Sequence, residues 1–475
     1  MVQAAGNSDV FPEASDIGVS GDPSSKSETR LPDSLPLWMV AGYLGLFVIR
    51  PWEQLFPRLA PIHFELIYAI AAILVAVFSR KTKMPGVSLQ SITIFMFVIA
   101  LALSGLLGIS FSTSWPPFYE YLTQVVCYFL LMMSIRSYRD LQFILASYIG
   151  SMFLYLSKAQ WEFFLNGQHR YDMGVMRMVG IEESFGGPNA LAMSIVASMP
   201  FWFYLWKTRH DALWFNVSKH RRLYRNLLLG YLVLAISSTI LTNSRSGMLA
   251  MALFVLMTAL SGRGLKSKIL LPISGMLFLT LIWVVMPESN RDRLRTVWDP
   301  ESGPTNAEIS AQGRIEGLKA GIAIFKRFPI SGVGLGNFID YRVAHIDGVS
   351  LNPHNLVGQI LGETGILGAG AFLLLILAIL YNSNVIKATC RRLSGSDSSG
   401  LSLLASACRN SVLLLLFEGI FGHNMTRYNW LWIAAFAVLA LTFSKSLSED
   451  GFDHDSDSLG RVPGNMDLEE FRISR

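Results

Sequence analysis

The sequence predicts an all-α polytopic membrane protein with about 12 transmembrane helices. Of its 475 residues, 52% are hydrophobic and only 15% are charged, whereas soluble proteins carry about 25% charged residues. A chain this long with so few charges cannot cover itself with a polar surface, which excludes an ordinary soluble enzyme, a disordered protein and a fibrous repeat. The net charge of +5 therefore indicates loops that stay in the cytoplasm, not binding to nucleic acid.

Apolar segments divide the chain into one membrane domain between two polar tails. Residues 1–35 contain no apolar run, so they are predicted to be a disordered cytoplasmic tail and not a cleaved signal peptide. The membrane domain is predicted over 36–446, because each span needs about 20 apolar residues. The acidic residues 447–475 are predicted to be a second disordered cytoplasmic tail. The predicted spans are 35–50, 63–79, 88–110, 118–135, 140–160, 189–206, 226–243, 246–260, 268–286, 355–384, 401–421 and 429–446.

The distribution of Lys and Arg predicts which ends of the spans face outward. With both termini in the cytoplasm, most Lys and Arg of the short loops lie on the cytoplasmic side, as expected for membrane proteins. This orientation leaves three notable outer segments, which are loop 161–188, the turn 244–247 and the large loop 287–354 between the ninth and tenth spans. Topology does not explain the arginines in these segments, so they are candidates for function.

The large loop combines a predicted helix over 315–327 with a glycine-rich segment over 328–338. Repeated glycines can cradle a phosphate, but no strand precedes this segment and it lacks the lysine of a P-loop. The pattern therefore favours turn-forming glycines over a phosphate cradle.

His354 closes the large loop and directly precedes a polar stripe on the next helix. Asn355, Gln359 and Glu363 follow at intervals of four residues, which places them on one helix face. A carboxylate within a span is costly and usually faces the bundle interior or a wet cavity, so Glu363 is a functional candidate. The structural alternatives are an interhelical hydrogen bond for Glu363 and a capping or interfacial role for His354.

Three outer arginines, Arg177, Arg245 and Arg314, suit the binding of a diphosphate at head-group depth. The planar guanidinium binds phosphate oxygens through two parallel hydrogen bonds and stabilises the charge that grows on a leaving diphosphate. No paired-carboxylate metal site accompanies them, so the simplest chemistry is departure of a lipid diphosphate without a metal. The structural alternatives are snorkelling for Arg245 and a solvated loop charge for Arg177.

Taken together, these motifs resemble the O-antigen ligase and polymerase superfamily. The similarity covers about 170–370, in matching order and spacing. The motifs are Arg177 to Gly180 with Phe185-Gly-Gly-Pro-Asn189, then Ser244-Arg245-Ser246-Gly247, Gly313-Arg314, Phe328-Pro329 to Phe338, Pro353-His354-Asn355, and Gly362-Glu363 to Gly368.

The resemblance implies a metal-independent, inverting glycosyltransferase with a GT-C-like membrane fold and no cofactor. The donor would be a glycan on undecaprenyl or another polyprenyl diphosphate, and the reaction would take place on the periplasmic face of the bacterial inner membrane. The acceptor would be lipid A–core in lipopolysaccharide biosynthesis, another lipid-linked repeat in the polymerases, or a protein. By the same resemblance, His354 and Arg314 would be catalytic, Arg177, Arg245 and Arg314 would bind the diphosphate, and Asn189, Asn355 and Glu363 would support the site.

Two departures affect the choice among members of the superfamily. The paired Arg-x10-Gly signature of the polymerases is not cleanly present, because Pro188 and Phe325 stand eleven residues after Arg177 and Arg314, which weakens the polymerase alternative. The stretch 50–53 resembles exopolysaccharide-associated members. A transporter of lipid-linked glycans is the alternative from another class, but the chain has no obvious inverted repeat.

Overall fold

The protein is represented by a computed structural model that describes most of the chain. The described residues are 32–54, 56–62, 64–82, 86–172, 175–180, 187–210, 217–261, 273, 280, 283, 288–295 and 306–459.

The described chain is almost entirely helical. Its helices are α1 (Leu35–Ile49), α2 (Pro51–Gln54), a 3₁₀ helix (Pro57–Ile62), α3 (Phe64–Phe78), α4 (Leu89–Leu107), α5 (Phe111–Ser134), α6 (Tyr138–Leu165), α7 (Pro188–Lys207), α8 (Val217–Leu241), α9 (Arg245–Leu260), α10 (Glu288–Arg295), α11 (Asn306–Arg327), α12 (Phe338–His345), α13 (Leu356–Cys390), α14 (Ser396–Gly419) and α15 (Tyr428–Leu459).

The all-helical membrane class predicted from the sequence is confirmed. A described helix overlaps every predicted span except 268–286, which lies largely outside the described residues. Five helices are long and apolar enough to cross a membrane, namely α4, α8, α13, α14 and α15, and shorter apolar helices are found at α1, α3 and α9. These features identify a multi-pass membrane protein, whereas the number of twelve spans and the orientation stay predictions.

Helix α13 is the central packing element, with α4, α11, α14 and α15 against it. Aromatic side chains fill this core: the ring of Phe372 lies 5.4 Å from that of Phe97 and 5.2 Å from that of Trp430. The large apolar area of such rings makes them the main contributors to core packing. This packing holds α13 in a fixed position in the bundle. The N-terminal end of α13 can therefore hold functional groups in place.

Helix α13 is interrupted at Gly365, whose φ of 60° and ψ of −156° are not helical. The glycine-rich segment docks into this break: Val333 and Gly334 donate their backbone N–H groups to the carbonyls of Gly362 and Glu363, at 3.0 Å each. A Cβ at Gly365 would stand 2.5 Å from the carbonyl oxygen of Ile330, so only glycine permits this approach. The break thus divides the long predicted segment 355–384 and locks the large loop onto it.

Two features were not predicted from the sequence. Strands β1 (Arg170–Asp172) and β2 (Val175–Arg177) form an antiparallel hairpin in the outer loop 161–188, with Arg170 paired to Arg177. Helix α15 continues to Leu459, so the beginning of the tail predicted to be disordered from 447 is helical instead. The N-terminal tail 1–31 and residues 460–475 lie outside the described residues.

Candidate active site

Arg245 is the first residue of α9 and is presented by a tight turn. Asn243 adopts the left-handed conformation with a φ of 50°, and the Ser244 hydroxyl caps the helix by accepting the Gly247 N–H at 3.3 Å. A Cβ at Gly247 would stand 2.6 Å from the Cβ of Ala192, so glycine lets α9 approach α7 closely. The local sequence therefore fixes the half-buried Arg245 at the N-terminal ends of two packed helices.

Arg177 lies beside this turn but is built into the protein. Its side chain is 4% exposed. Its Nε donates to the carbonyl oxygen of Thr242 at 3.0 Å, and its Nη2 donates to Oδ1 of Asn189 at 2.8 Å. Arg177 and Asn189, both predicted site residues, are therefore brought together as a junction between β2, α7 and α8. The neighbouring motif residues Phe185 and Gly186 lie outside the described residues.

Arg314 is carried by α11, which packs against α13 through glycines. A Cβ at Gly317 would stand 2.2 Å from the carbonyl oxygen of Pro353, and one at Gly321 would stand 2.4 Å from that of Gly358. Glycines four residues apart allow two helix backbones to approach closely. Arg314 lies three residues before Gly317 on the same face, so this packing brings it toward the segment that contains His354.

The guanidinium of Arg314 has an aromatic neighbour and charged neighbours. It lies 5.6 Å from the ring centroid of Phe421. Burial lowers the pKa of Arg314, the positive charge of Arg245 lowers it further, and the carboxylate of Glu418 opposes both effects. Among the residues that the structure describes, none accepts a hydrogen bond from Arg314 or forms an ion pair with it. A half-buried cation in this state is suited to an anionic ligand.

His354 is held in a strained backbone conformation with a φ of 44°. The next residue, Asn355, caps α13 by accepting the Gly358 N–H at 3.0 Å and donates its Nδ2 to the carbonyl oxygen of Ile420 at 3.0 Å. Burial lowers the pKa of His354 below its ordinary value of 6.5, and the charges of Arg314 and Arg342 add to that effect. The imidazole is therefore neutral at neutral pH and can accept a proton.

The segment before His354 is anchored by an ion pair between a buried arginine and an exposed aspartate, which was not predicted from the sequence. Arg342 on α12 is fully buried and donates two hydrogen bonds to Asp347, from Nε at 2.9 Å and from Nη2 at 2.7 Å. Its Nη1 reaches the carbonyl oxygen of Leu351 at 3.3 Å. Two parallel hydrogen bonds from one guanidinium to one carboxylate are geometrically specific. They therefore restrict the conformation of the backbone between Asp347 and His354.

His423 is the main site residue that was not predicted. It lies in the turn between α14 and α15, and its ring centroid is 5.3 Å from that of His354. Burial lowers the pKa of His423 to about 4, with contributions from His354 and Arg427. Its buried Nδ1 has no hydrogen-bond partner among the described residues. The available signal was a histidine and an arginine, His423 and Arg427, in one short loop between two predicted spans.

The predicted polar stripe on α13 is confirmed as one buried face. Asn355, Gln359 and Glu363 are 9%, 8% and 4% exposed. Gln359 accepts the Met425 N–H at 3.2 Å and lies 3.5 Å from the Glu363 carboxylate. Glu363 also receives the backbone N–H of Gly336. Its contacts thus lead to the glycine-rich turn and not to His354, which indicates a role in holding α13 and the loop together.

The interpretation of the glycine-rich segment as a phosphate cradle, which the sequence did not favour, is wrong. The N–H groups of Val333 and Gly334 are donated to α13, and that of Gly332 is donated to the carbonyl oxygen of Phe328 at 3.1 Å. An anion would have to displace these bonds. The favoured interpretation, turn-forming glycines, is confirmed by positive φ values at Gly332, Gly334 and Gly336.

The described residues thus assemble two arginines and two histidines at the N-terminal end of α13. Arg245 and Arg314 supply positive charge, and His354 and His423 supply neutral imidazoles beside them. Glu418 on α14 is buried next to this set and is hydrogen-bonded to Ser246. Among the described residues, no group of three His, Cys, Asp or Glu side chains has the arrangement of a metal site. This set can bind an anion and accept a proton from a neighbouring group.

Comparison with known protein families supports the superfamily that the sequence predicts. The family model described as O-antigen ligase (Wzy_C) matches residues 230–373, a range that contains Arg245, Arg314 and His354. The match confirms the predicted resemblance to the O-antigen ligase and polymerase superfamily. No curated protein matches the chain.

Proposed function

We propose, from the match of residues 230–373 to the O-antigen ligase family, that this protein is a ligase-type glycosyltransferase. It transfers a glycan from a polyprenyl diphosphate carrier to an acceptor hydroxyl at the periplasmic face of the bacterial inner membrane. The observation that carries the proposal is Arg314, a half-buried cation without a described protein acceptor, beside the neutral imidazole of His354. This pairing combines an anion site with a base.

In the proposed reaction, Arg314 and Arg245 bind the diphosphate. The acceptor oxygen attacks the anomeric carbon from the face opposite the diphosphate, so the configuration inverts. As the bond between this carbon and the diphosphate oxygen breaks, its electron pair leaves with the diphosphate. The two guanidinium groups stabilise that growing negative charge, because fixed cations in a site of low dielectric act most strongly where charge develops.

His354 accepts the proton of the acceptor hydroxyl as the new bond forms. This role requires the neutral imidazole, which burial and the charge of Arg314 favour. His423 lies against the ring of His354 and stays neutral over the physiological range. We assign it a positioning role, in which it limits the orientations of His354.

In this proposal, the remaining predicted site residues hold the segments that carry Arg245, Arg314 and His354 in position. Arg177 and Asn189 hold the turn that presents Arg245, because the guanidinium of Arg177 is committed to protein acceptors. Asn355 ties the start of α13 to the turn that contains His423. Glu363 holds the glycine-rich turn in the break of α13.

Transfer by the purified full chain tests the proposal. The donor is a short polyprenyl-diphosphate oligosaccharide, EDTA is present, and lipid A–core is added or omitted. One acceptor-dependent product that is absent with Arg314→Ala supports the metal-independent ligase. A ladder of products without acceptor identifies a polymerase. Absence of transfer to lipid A–core, glycan and protein acceptors alike contradicts an enzyme and favours a transporter of lipid-linked glycans.

A further inference from the structure

We infer that a basic cavity between α7 and α8 binds the phosphate of an anionic phospholipid head group. The cavity has a volume of about 320 Å³, near the lower end of the range for ligand sites, roughly 300–1,000 Å³. Four arginines contribute to its wall. The lining residues are Arg209, His210, Arg221, Arg222, Tyr224 and Arg225.

The cavity lies at the opposite end of α7 from the candidate active site. Helix α7 begins at Pro188, next to the Arg177–Asn189 junction, and ends at Lys207 after 20 residues. A helix of that length spans about 30 Å, close to the thickness of the hydrocarbon core. The orientation predicted from the sequence puts this end in the cytoplasm. The inference is therefore independent of the proposed transfer reaction.

Packing between α7 and α8 holds the cavity wall in place. The guanidinium of Arg209 lies 4.3 Å from the ring centroid of Trp206 and donates to its carbonyl oxygen at 2.5 Å. Trp206 stacks on Trp202, whose indole N–H donates to the carbonyl oxygen of Leu228 on α8 at 2.8 Å. Tryptophan rings are typical of the head-group level of a bilayer. Arg209 is thus held by this packing, and the predicted orientation would place it near the depth of the lipid phosphates.

Among the residues that the structure describes, no ion pair neutralises the four arginines of the cavity wall. Its lining residues include no carboxylate. Arg221 and Arg222 make no hydrogen bond or ion pair with any residue that the structure describes, and Arg225 contacts only the side-chain oxygen of Asn226, at 3.3 Å. Converging guanidinium groups repel one another, and a phosphate relieves this repulsion while accepting their forked hydrogen bonds.

The position of the cavity favours a lipid over a soluble phosphate as the source of this anion. Basic pockets between transmembrane helices on the cytoplasmic side suit anionic head groups, and the cytoplasmic leaflet attracts basic segments through its negative surface potential. The acyl chains of such a lipid would lie along the exposed apolar side chains of α8, which include Leu223 and Leu227. A soluble phosphate would gain nothing from that apolar surface.

Native mass spectrometry of the delipidated full chain tests this inference. The probes are phosphatidylglycerol, cardiolipin, phosphatidylcholine and inorganic phosphate, added separately. The test variant is Arg221→Gln/Arg222→Gln. The matched control is Arg391→Gln/Arg392→Gln, which removes an exposed arginine pair at the end of α13, predicted to face the same side. Thermal unfolding in detergent verifies that both variants fold.

We expect the wild type and the Arg391→Gln/Arg392→Gln control to bind phosphatidylglycerol and cardiolipin equally. The Arg221→Gln/Arg222→Gln variant should bind both lipids roughly tenfold more weakly, because it loses hydrogen bonds between its guanidinium groups and the lipid phosphate. Phosphatidylcholine should bind weakly to all three proteins. An equal loss of lipid binding in both variants would show that binding depends only on the total positive charge of this side of the protein, and it would overturn the inference. Binding of inorganic phosphate in place of the lipids would identify a soluble anion as the ligand and would also overturn it.

Discussion

Two arginines, one in the candidate active site and one beside it, show how the same side chain is used in different ways. Arg177 is 4% exposed, and its Nε and Nη2 donate to Thr242 and Asn189. Arg314 is half-buried beside Phe421, and among the described residues none accepts its hydrogen bonds. The sequence predicts that both residues belong to motifs of one superfamily, although only Arg314 lies within the matched residues 230–373, so predicted motif membership does not separate their roles.

The difference indicates that a structural arginine and a ligand-binding arginine are distinguished by whether protein acceptors already use their N–H groups, and not by residue type. A buried guanidinium whose donors are used by protein acceptors stabilises the fold, since removing it leaves those acceptors unpaired. A guanidinium that is held in place by its helix but not by its own hydrogen bonds keeps its donors for a ligand. Four substitutions test this distinction.

Substitution of Arg314 should have the largest effect. Arg314→Ala should lower transfer to background, about 10³-fold, because a fixed cation that stabilises the leaving diphosphate is lost. Arg314→Lys should recover little, since an ammonium group lacks the bidentate fork. Steady-state transfer by purified variants measures both, with Lys319→Ala, an exposed cation on the same helix, as control. Near-normal transfer by Arg314→Lys would contradict bidentate binding.

His354→Ala should lower transfer by about 10²-fold, the loss expected for a general base. The pKa of His354 lies below its ordinary value of 6.5, and the neutral form is the one that accepts a proton. Wild-type transfer should therefore fall as the pH drops through this lowered pKa, and this acidic limb should vanish in the variant. The exposed His345, replaced by Ala, is the control. If His354→Ala kept wild-type transfer at every pH, the base assignment would fail.

Gly321→Ala should disturb the presentation of Arg314 without changing its chemistry. The new Cβ would stand 2.4 Å from the carbonyl oxygen of Gly358, and such overpacking costs about 1–3 kcal/mol. We expect transfer to fall about tenfold, because a small displacement of α11 moves Arg314 relative to His354. Gly313→Ala, where nothing lies within 4 Å of the new Cβ, should leave both stability and transfer unchanged. Equal behaviour of the two variants would show that helix contact does not position Arg314.

Arg177→Lys should have the smallest effect on transfer and a clear effect on stability. One ammonium group cannot replace the bonds to both Thr242 and Asn189, so the free energy of unfolding should fall by about 1–3 kcal/mol. Thermal unfolding measures this loss against Arg170→Lys, the exposed partner across the hairpin. Transfer per folded molecule should be unchanged. A higher KM for the donor with normal stability would instead show that Arg177 binds the diphosphate.

Much of the fold and part of the site were predictable from local properties of the chain. Hydropathy predicted the helices, because apolar runs of sufficient length have few alternatives to spanning a bilayer. The spacing of Asn355, Gln359 and Glu363 predicted one buried face, because helical periodicity places such residues together. The structure places Arg314 close enough to Arg245 and His354 for their charges to interact, and the three had been grouped because they stand at the predicted outer ends of their segments. Their roles stay predictions.

The sequence by itself therefore determined the helical membrane class and named the candidates for charge and proton transfer. Only the tertiary structure decided which partners each candidate contacts, because these contacts join distant segments. The break at Gly365 becomes a docking site only when the glycine-rich turn supplies its N–H groups. His423 reaches His354 only because Asn355 binds the carbonyl oxygen of Ile420, 65 residues away. Arg177 becomes structural only because Thr242, also 65 residues away, accepts its hydrogen bond. Hydrogen bonds of this kind depend on geometry that no local pattern encodes.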